Sequence, residues 1–316
     1  MAYSLLEASK LKNDPLQRGF CEVLSRKSPI LQELPFLNIN ATAYSYNREQ
    51  TLPRIDFRAL NEDYTEGSGT LDKITESLAI LGGVVDVDRI LAKAGGDMND
   101  LRAIATSLKA KSLALRWNKE FIKGNVATGD AKGFDGLQAR ISLTGSQLVE
   151  NGVSDGGDAL SLANLSELID TVAESDPDIL LMNKTLKRRL DVAARLTTVG
   201  GNITFSLDAF GRRCQKFNDI PIGVIRTDEA GDEIMDFDEV GSTGTTATAT
   251  SIYAVKYGVG EYLFGIQADD LEVIDLGQYS GGNKMRTLVE WFASIAIGNP
   301  TSIARLRGIT DAAVVA

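Results

Sequence analysis

The sequence predicts an α+β fold that carries segments extending beyond its own body. Three stretches predict it: a charged, alternating ribbon at 41–80, a long amphipathic helix at 97–123, and alternating α and β patterns from 150 to 280. A chain of 316 residues has room for two modest domains, or for one core with large extensions.

The first forty residues do not read as a core. Short helices are predicted over 4–12 and 16–26, with Pro15 and Pro29 as their stops. "SPILQELPFL" follows, in which Pro29 and Pro35 bracket Ile30, Leu31 and Leu34. Apolar residues on so thin a segment need a surface to cover. That surface is either the chain's own body or a neighbour's, and the pattern favours neither.

In the ribbon, Ile55 and Phe57 alternate with Arg54, Asp56 and Arg58, and Tyr44 and Tyr46 repeat the same period. Gly67, Ser68 and Gly69 supply the expected turn. Two arms of roughly 15–20 residues would reach about 50–60 Å at strand rise, against a radius of gyration of about 20 Å for a compact chain of this length. An isolated two-stranded hairpin is marginal in water, so the ribbon needs something to lie on. Its own core is one such surface and an adjacent subunit is another. Arg48, Arg54 and Arg58, beside Glu49, Asp56, Glu62 and Asp63, are read as ion-pairing groups for an adjacent subunit.

The long helix starts at a cap, Asp97 or Asn99, and ends at Gly124. Leu101, Ile104, Ala105, Leu108, Leu115 and Ile122 form its predicted apolar stripe, with Leu113, Trp117 and Phe121 on a second face. At 1.5 Å per residue it spans about 40 Å and reads as a strut. The glycine-rich "GNVATGDAKGFDGLQARI" after it follows a helix and contains neither phosphate-loop motif, so it reads as tight turns.

Further on, Leu165, Leu168, Ile169 and Val172 mark an amphipathic helix, and "DPDILLMN" is a buried strand. Asn183 caps the helix "KTLKRRLDVAARL". "DIPIGVIRTD" is a strand with Pro221 at an edge or strand start. "SIYAVKYG" and "EYLFGIQ" are expected to pair as a hairpin. The last segment reads as a long strand, a turn at Asn299 and Pro300, and a final short strand.

Composition narrows the function. The chain has no histidine, which excludes serine–histidine and cysteine–histidine catalysis and every histidine-ligated metal site. Cys21 and Cys214 show no metal-type spacing and are expected to be free thiols. The apolar run Trp291–Ile297 is far too short to span a membrane, and no membrane partner is expected. The N-terminal layout is not that of a signal peptide, so a cytoplasmic start is expected. Net charge is −10, and residues 220–280 hold twelve acids against Arg226 and Lys256, so that segment alone carries the whole excess. With no basic stripe, sequence-specific nucleic-acid binding is not expected. The run Asp228, Glu229, Asp232, Glu233, Asp236, Asp238 and Glu239 lacks calcium-loop spacing and reads as a solvated or interface-facing loop. Asp86 and Asp88 would share a strand face, but nothing beside them marks a substrate pocket. No catalytic residue, cofactor or metal ligand is assigned.

Seven segments in order carry a resemblance. "SLLEASKLKNDPLQRGF" opens the arm, "LPFLNINATAYSYNREQTLPRIDFR" enters the ribbon, and "LAILGGVVDVDRIL" leaves it. The long helix runs into "GFDGLQARI", followed by "DPDILLMNKTLKRRL", "DIPIGVIRTDE" and "VEWFASIAIGNPTSIARLRGI". Over nearly its whole length the chain resembles the major capsid proteins of tailed bacteriophages, whose Hong Kong type fold is shared with encapsulins. The resemblance implies an N-terminal arm at 1–40, an extended loop at 41–82, a peripheral domain at 83–150 and 281–316 containing the long spine helix, and an α/β axial domain at 151–280. It implies a structural, non-enzymatic subunit that assembles with copies of itself into pentamers and hexamers of an icosahedral shell around double-stranded DNA. Portal, scaffold and decoration proteins are the other implied partners, and the implied location is the virion, after assembly in the host cytoplasm. No long scaffolding segment is visible ahead of the arm, so a separate scaffold or none is expected. Some relatives cross-link through lysine and asparagine; the ribbon offers chiefly Lys73, and no such bond is expected. On this reading Ile30, Leu34 and Phe36 of the arm and Arg48, Arg54, Ile55, Phe57 and Arg58 of the ribbon meet neighbouring subunits. The alternatives are an encapsulin shell, a tail-tube or fibre protein, and a carboxylate-dependent hydrolase using Asp86, Asp88 or the 228–239 run.

Overall fold

The structure, a computed structural model, describes residues 3–4, 23–24, 27–88, 101–172, 176–195, 203–207, 213–278 and 282–315. The two helices expected in the arm lie almost wholly outside these residues, as do Cys21 and both candidate caps of the long helix.

In chain order the arm contributes β1 (Tyr3–Ser4), α1 (Pro29–Glu33) and β2 (Pro35–Asn38). The ribbon is β3 (Ala43–Thr51) with β4 (Thr70–Ser77), and β5 (Ala79–Asp88) and α2 (Leu101–Lys123) follow. Then come α3 (Leu137–Arg140), β6 (Leu148–Glu150), α4 (Leu162–Thr171), β7 (Ile179–Asn183) and α5 (Lys184–Ala193). β8 (Ile203–Leu207), β9 (Arg213–Phe217), β10 (Ile220–Ile225), β11 (Glu239–Val240) and β12 (Ala247–Val255) come next. The chain closes with β13 (Leu263–Gln267), β14 (Glu272–Gln278), β15 (Lys284–Ile297) and β16 (Ile303–Ile309).

Two sheets share the body. In the six-stranded sheet β15 is the spine: β5 lines one edge along 284–293, and β13 and β14 follow each other along the opposite edge. The arm completes this sheet, because β2 pairs parallel to β13 and β1 pairs with β2. The eight-stranded sheet runs β6-β16-β12-β7-β10-β9-β8, with β11 on β12. Strand β7 shows why it is apolar throughout. Alternate side chains point to opposite faces, so Ile179 and Leu181 join the core shared with the helix α2, while Leu180 and Met182 meet the core under α4 and α5. Leu165, Leu168, Ile169 and Val172 are buried as the periodicity requires. The Asn183 side chain accepts from Leu186 N at 2.7 Å, capping α5 as expected.

Three expectations are corrected. Strands β12 and β13 do not pair: the 256–262 turn carries the chain from one sheet to the other. Most of β12 and all of β13 are buried, so each needs sheet neighbours and packing on both faces, which an isolated hairpin does not supply. On α2 the buried stripe is Ala110, Leu113, Ala114, Trp117, Phe121 and Ile122, while Ile104 and Leu108 are exposed because the first half of the helix is left uncovered on that side.

The third correction concerns the arm. Ile30 and Leu34 are 0% exposed and Phe36 3%, all within the chain's own principal core. They cover this subunit, not a neighbour. Phe36 lies 5.2 Å from Trp291 and 6.0 Å from Trp117, and the two indoles are 4.6 Å apart. Gly265 makes room for this cluster, since a Cβ there would stand 2.3 Å from the Phe36 ring. Ser28 caps α1 and also hydrogen-bonds Asn118 of α2, which fixes the arm to the strut. Phe36→Ala should therefore lower the unfolding free energy of the unassembled chain by about 3–5 kcal/mol in a denaturant titration. An unchanged midpoint would show that the ring is not part of this core.

Candidate assembly interface

The ribbon begins as a regular antiparallel ladder from Ala43↔Ser77 to Thr51↔Thr70. Its base is anchored at three points. Tyr44 and Tyr46 stack at 5.7 Å and pack with Leu37 and Leu78 on Phe264, Ile266 and Ala296. The Tyr46 hydroxyl accepts from Ile297 N at 3.2 Å, and burial pushes the phenol above its ordinary value. Arg140 grips Glu76 with two hydrogen bonds, of 2.5 and 2.8 Å. A bidentate pair of this kind fixes direction as well as position.

Beyond Thr51 the ladder stops. Pro53 has no N–H to donate, and residues 52–69 have no regular hydrogen-bonded structure. The paired strands are thus nine and eight residues long, giving about 30 Å of ladder in place of the longer arms expected. The reversal is also displaced. It lies at Ala59–Glu62, where Asn61 has φ 67° and Ala59 N donates to Glu62 Oε2 at 3.0 Å. Gly67 is instead a close-approach position, since a Cβ there would lie 2.8 Å from the Cβ of Arg54 on the opposite run.

The tip gathers five exposed apolar side chains: Leu52 is 79% exposed, Ile55 91%, Phe57 106%, Leu60 92% and Tyr64 69%. Ile55 and Phe57 were read from the sequence, whereas Leu52, Leu60 and Tyr64 were not, because Pro53 and the reversal break the period of two that would have marked them. The ribbon arginines are partly engaged within their own chain. Arg54 pairs with Asp56 at 2.6 Å, while Arg58 donates to the Glu62 carbonyl at 3.1 Å and lies 5.3 Å over the Tyr64 ring. Arg48 sits half-buried at the base, beside Glu76 and Arg140.

The acidic segment is solvated over much of its length, with Glu229, Asp232, Glu233, Asp236 and Asp238 exposed, but it is also tied to its own chain. Lys119 meets Asp228 at 2.7 Å, Lys123 meets Asp238 at 2.9 Å, and Arg116 meets Glu229 at 3.5 Å, so the loop lies along the basic side of α2. Glu239 takes the buried Arg305 at 2.9 Å. Among the described residues no group of three or more acids or cysteines has metal-site geometry. Asp86 is held by two 2.8 Å hydrogen bonds from Arg286, which keep its carboxyl below the ordinary carboxylate value. A carboxyl held ionised in this way is poorly suited to donating a proton near neutral pH. No described helix is long and apolar enough to cross a membrane.

Residues 16–169 match the family described as major capsid protein GP7. That span covers the ribbon with its tip and the long helix. Over that span, just under half of its length, the chain is similar to major capsid proteins. Solved structures show the same fold over almost all of this chain. The SrpI encapsulin of Synechococcus elongatus PCC 7942, in its holo complex, is 15% identical with a TM-score of 0.64, over 98% of this chain and 97% of its own. The capsid of an empty GTA particle is 15% identical with a TM-score of 0.60, over 90% of each chain. A Mycobacterium phage Bobi structure is 15% identical with a TM-score of 0.59, over 88% of this chain and 89% of its own. No curated protein matches the sequence.

Two outcomes follow. Hydrogen bonding from Lys119, with backbone donors from its own loop, lowers the Asp228 carboxyl below its ordinary value of 3.8. Its stabilisation is therefore present above that value and lost as pH falls through the lower folded one. Asp228 is covered by a thin loop, not by the deep core, so solvent screens the pair, and Asp228→Asn should cost about 1 kcal/mol at pH 7. The gap from the parent in thermal melts should close as the pH falls below 3.8; a gap that persists there would contradict the ion-pair account. Arg140→Met should speed hydrogen exchange of the amides at 44–48 and 71–76 without changing exchange in β12. Unchanged exchange in the ribbon would show that the Arg140–Glu76 pair does not hold its base.

Proposed function

We propose that this chain is the shell subunit of a tailed-phage head, assembling with copies of itself into pentamers and hexamers around double-stranded DNA. The observation that carries the reading is the ribbon tip. Five large apolar side chains stand almost fully in solvent at the end of a ribbon whose base is held at three points. A two-stranded element cannot bury such residues itself, and a second copy of the chain presents a body for them to lie on. The role is structural and needs no catalytic group. Closed shells require heterologous contacts that close instead of growing without end, and a ribbon fixed in direction at its base suits that geometry.

The arm at 1–40 and the extended loop at 41–82 support this reading, whereas the expected cut between a peripheral domain at 83–150 and 281–316 and an axial domain at 151–280 is corrected: β13 and β14 join the sheet of β5 and β15, and β6 and β16 join the sheet of β7 and β12. Portal, scaffold and decoration proteins are the further partners on this reading, and assembly takes place in the host cytoplasm. Arg48, Arg54 and Arg58 set register against the neighbouring copy, while Ile55 and Phe57 supply the apolar contact. One observation favours a second reading, the encapsulin shell: the SrpI fold covers 98% of this chain. The two differ in content, so purified particles with a nucleic-acid absorbance signature support the phage head, and particles filled with a cargo protein support the encapsulin.

The ribbon is tested directly by Ile55→Asp combined with Phe57→Asp. The expected outcome is a folded subunit with a normal far-UV spectrum that forms no closed particles by negative-stain microscopy. Normal particles from the double variant would show that the ribbon tip is not an assembly element.

A further inference from the structure

A cavity of about 710 Å³ opens between the arm, the middle of α2, α5 and the turn that follows β10. Four cationic side chains line it, each from a different part of the chain: Lys27, Lys111, Lys187 and Arg226. Their distance apart in sequence is why no basic stripe was legible there. Among the described residues none of the four has a carboxylate partner. The acids on the same wall are already engaged, Asp228 by Lys119 and Glu229 by Arg116. Glu33 is the remaining one. It retains exposed surface, but the protein around its carboxyl and then the nearby Asp178 push it up to about 7, so near neutrality it opposes the cations only in part.

The second observation is independent of charge. Gln215 lines the same cavity, is 1% exposed, and neither its amide nitrogen nor its amide oxygen has a hydrogen-bond partner. A buried amide left unsatisfied on both atoms is costly unless something else fills its valences. The cavity volume lies in the range of small-molecule sites.

We propose that this cavity is a binding site for a phosphate-bearing ligand, with Lys27, Lys111, Lys187 and Arg226 neutralising the phosphate charge and Gln215 hydrogen-bonding the ligand. The phosphate comes either from a nucleic-acid backbone or from a free nucleotide. Only the first source rests on the shell reading above, and the site itself does not depend on particle formation.

The test uses the purified full chain and a Lys111→Met, Lys187→Met variant, compared in the same assembly state. Both lysines lie on helix surfaces, and matching thermal melts confirm that the variant is folded. Fluorescence polarisation reads binding of a labelled 20-base-pair duplex and of labelled ATP at two salt concentrations, with polyglutamate as a third probe. The expected result is that the parent binds at least one phosphate probe and that the variant loses about tenfold or more of that affinity, with a shallower salt dependence. Duplex binding alone assigns the backbone as the source, and ATP binding alone assigns the free nucleotide. A smaller loss, no phosphate binding by the parent, or binding of polyglutamate in place of both phosphate probes would overturn the proposal.

Discussion

A ribbon of two strands has two faces and no third layer, and this constraint governs the rest of the molecule. Its base can be built into the body, because Tyr44, Tyr46 and Glu76 find partners in Phe264, Ile297 and Arg140. Its tip is not, because among the described residues nothing of the same chain covers it. The apolar residues there, from Leu52 to Tyr64, are therefore left in water, clustered on one short stretch. A soluble monomer seldom exposes a contiguous apolar surface of this kind without a partner for it. On the proposed reading, self-assembly is the physical completion of the structure.

What makes the tip usable is the stiffness behind it. The strut α2 is held on one side by the Phe36–Trp117–Trp291 cluster and on another by the run of acids from Asp228 to Asp238. The arm is part of the same body, since β2 completes the sheet to which β15 and β5 belong. The ribbon thus emerges from a single packed unit, and its aim is set by residues far apart in sequence. The negative charge of the chain has a structural use in the same place, where a basic helix side is matched by an acidic loop.

Much of this was legible in the sequence, and the rest was hidden for identifiable reasons. Helix α4, the Asn183 cap and the turn at Asn299 between β15 and β16 follow from local period and local hydrogen bonding, which a single segment contains. The pairing of β12 and β13 was misread because adjacency in sequence suggests a hairpin, whereas complete burial requires separate sheets. Ile30, Leu34 and Phe36 looked available to a neighbour because no local signal says that Gly265, over two hundred residues away, leaves a space for a phenyl ring. The pairing of the acidic run with its own helix was hidden because Arg116, Lys119 and Lys123 lie more than a hundred residues earlier. On the ribbon, alternation revealed Ile55 and Phe57 but could not reveal where the ladder stops.

The central claim, that the tip is completed only by another copy, is tested most directly by hydrogen–deuterium exchange of residues 52–69 in unassembled subunits and in assembled particles. The account predicts fast exchange in the free subunit and strong protection in the particle, with the ladder at 44–48 protected in both. Equal and rapid exchange of the tip in both states would contradict it, as would full protection of the tip in the lone chain.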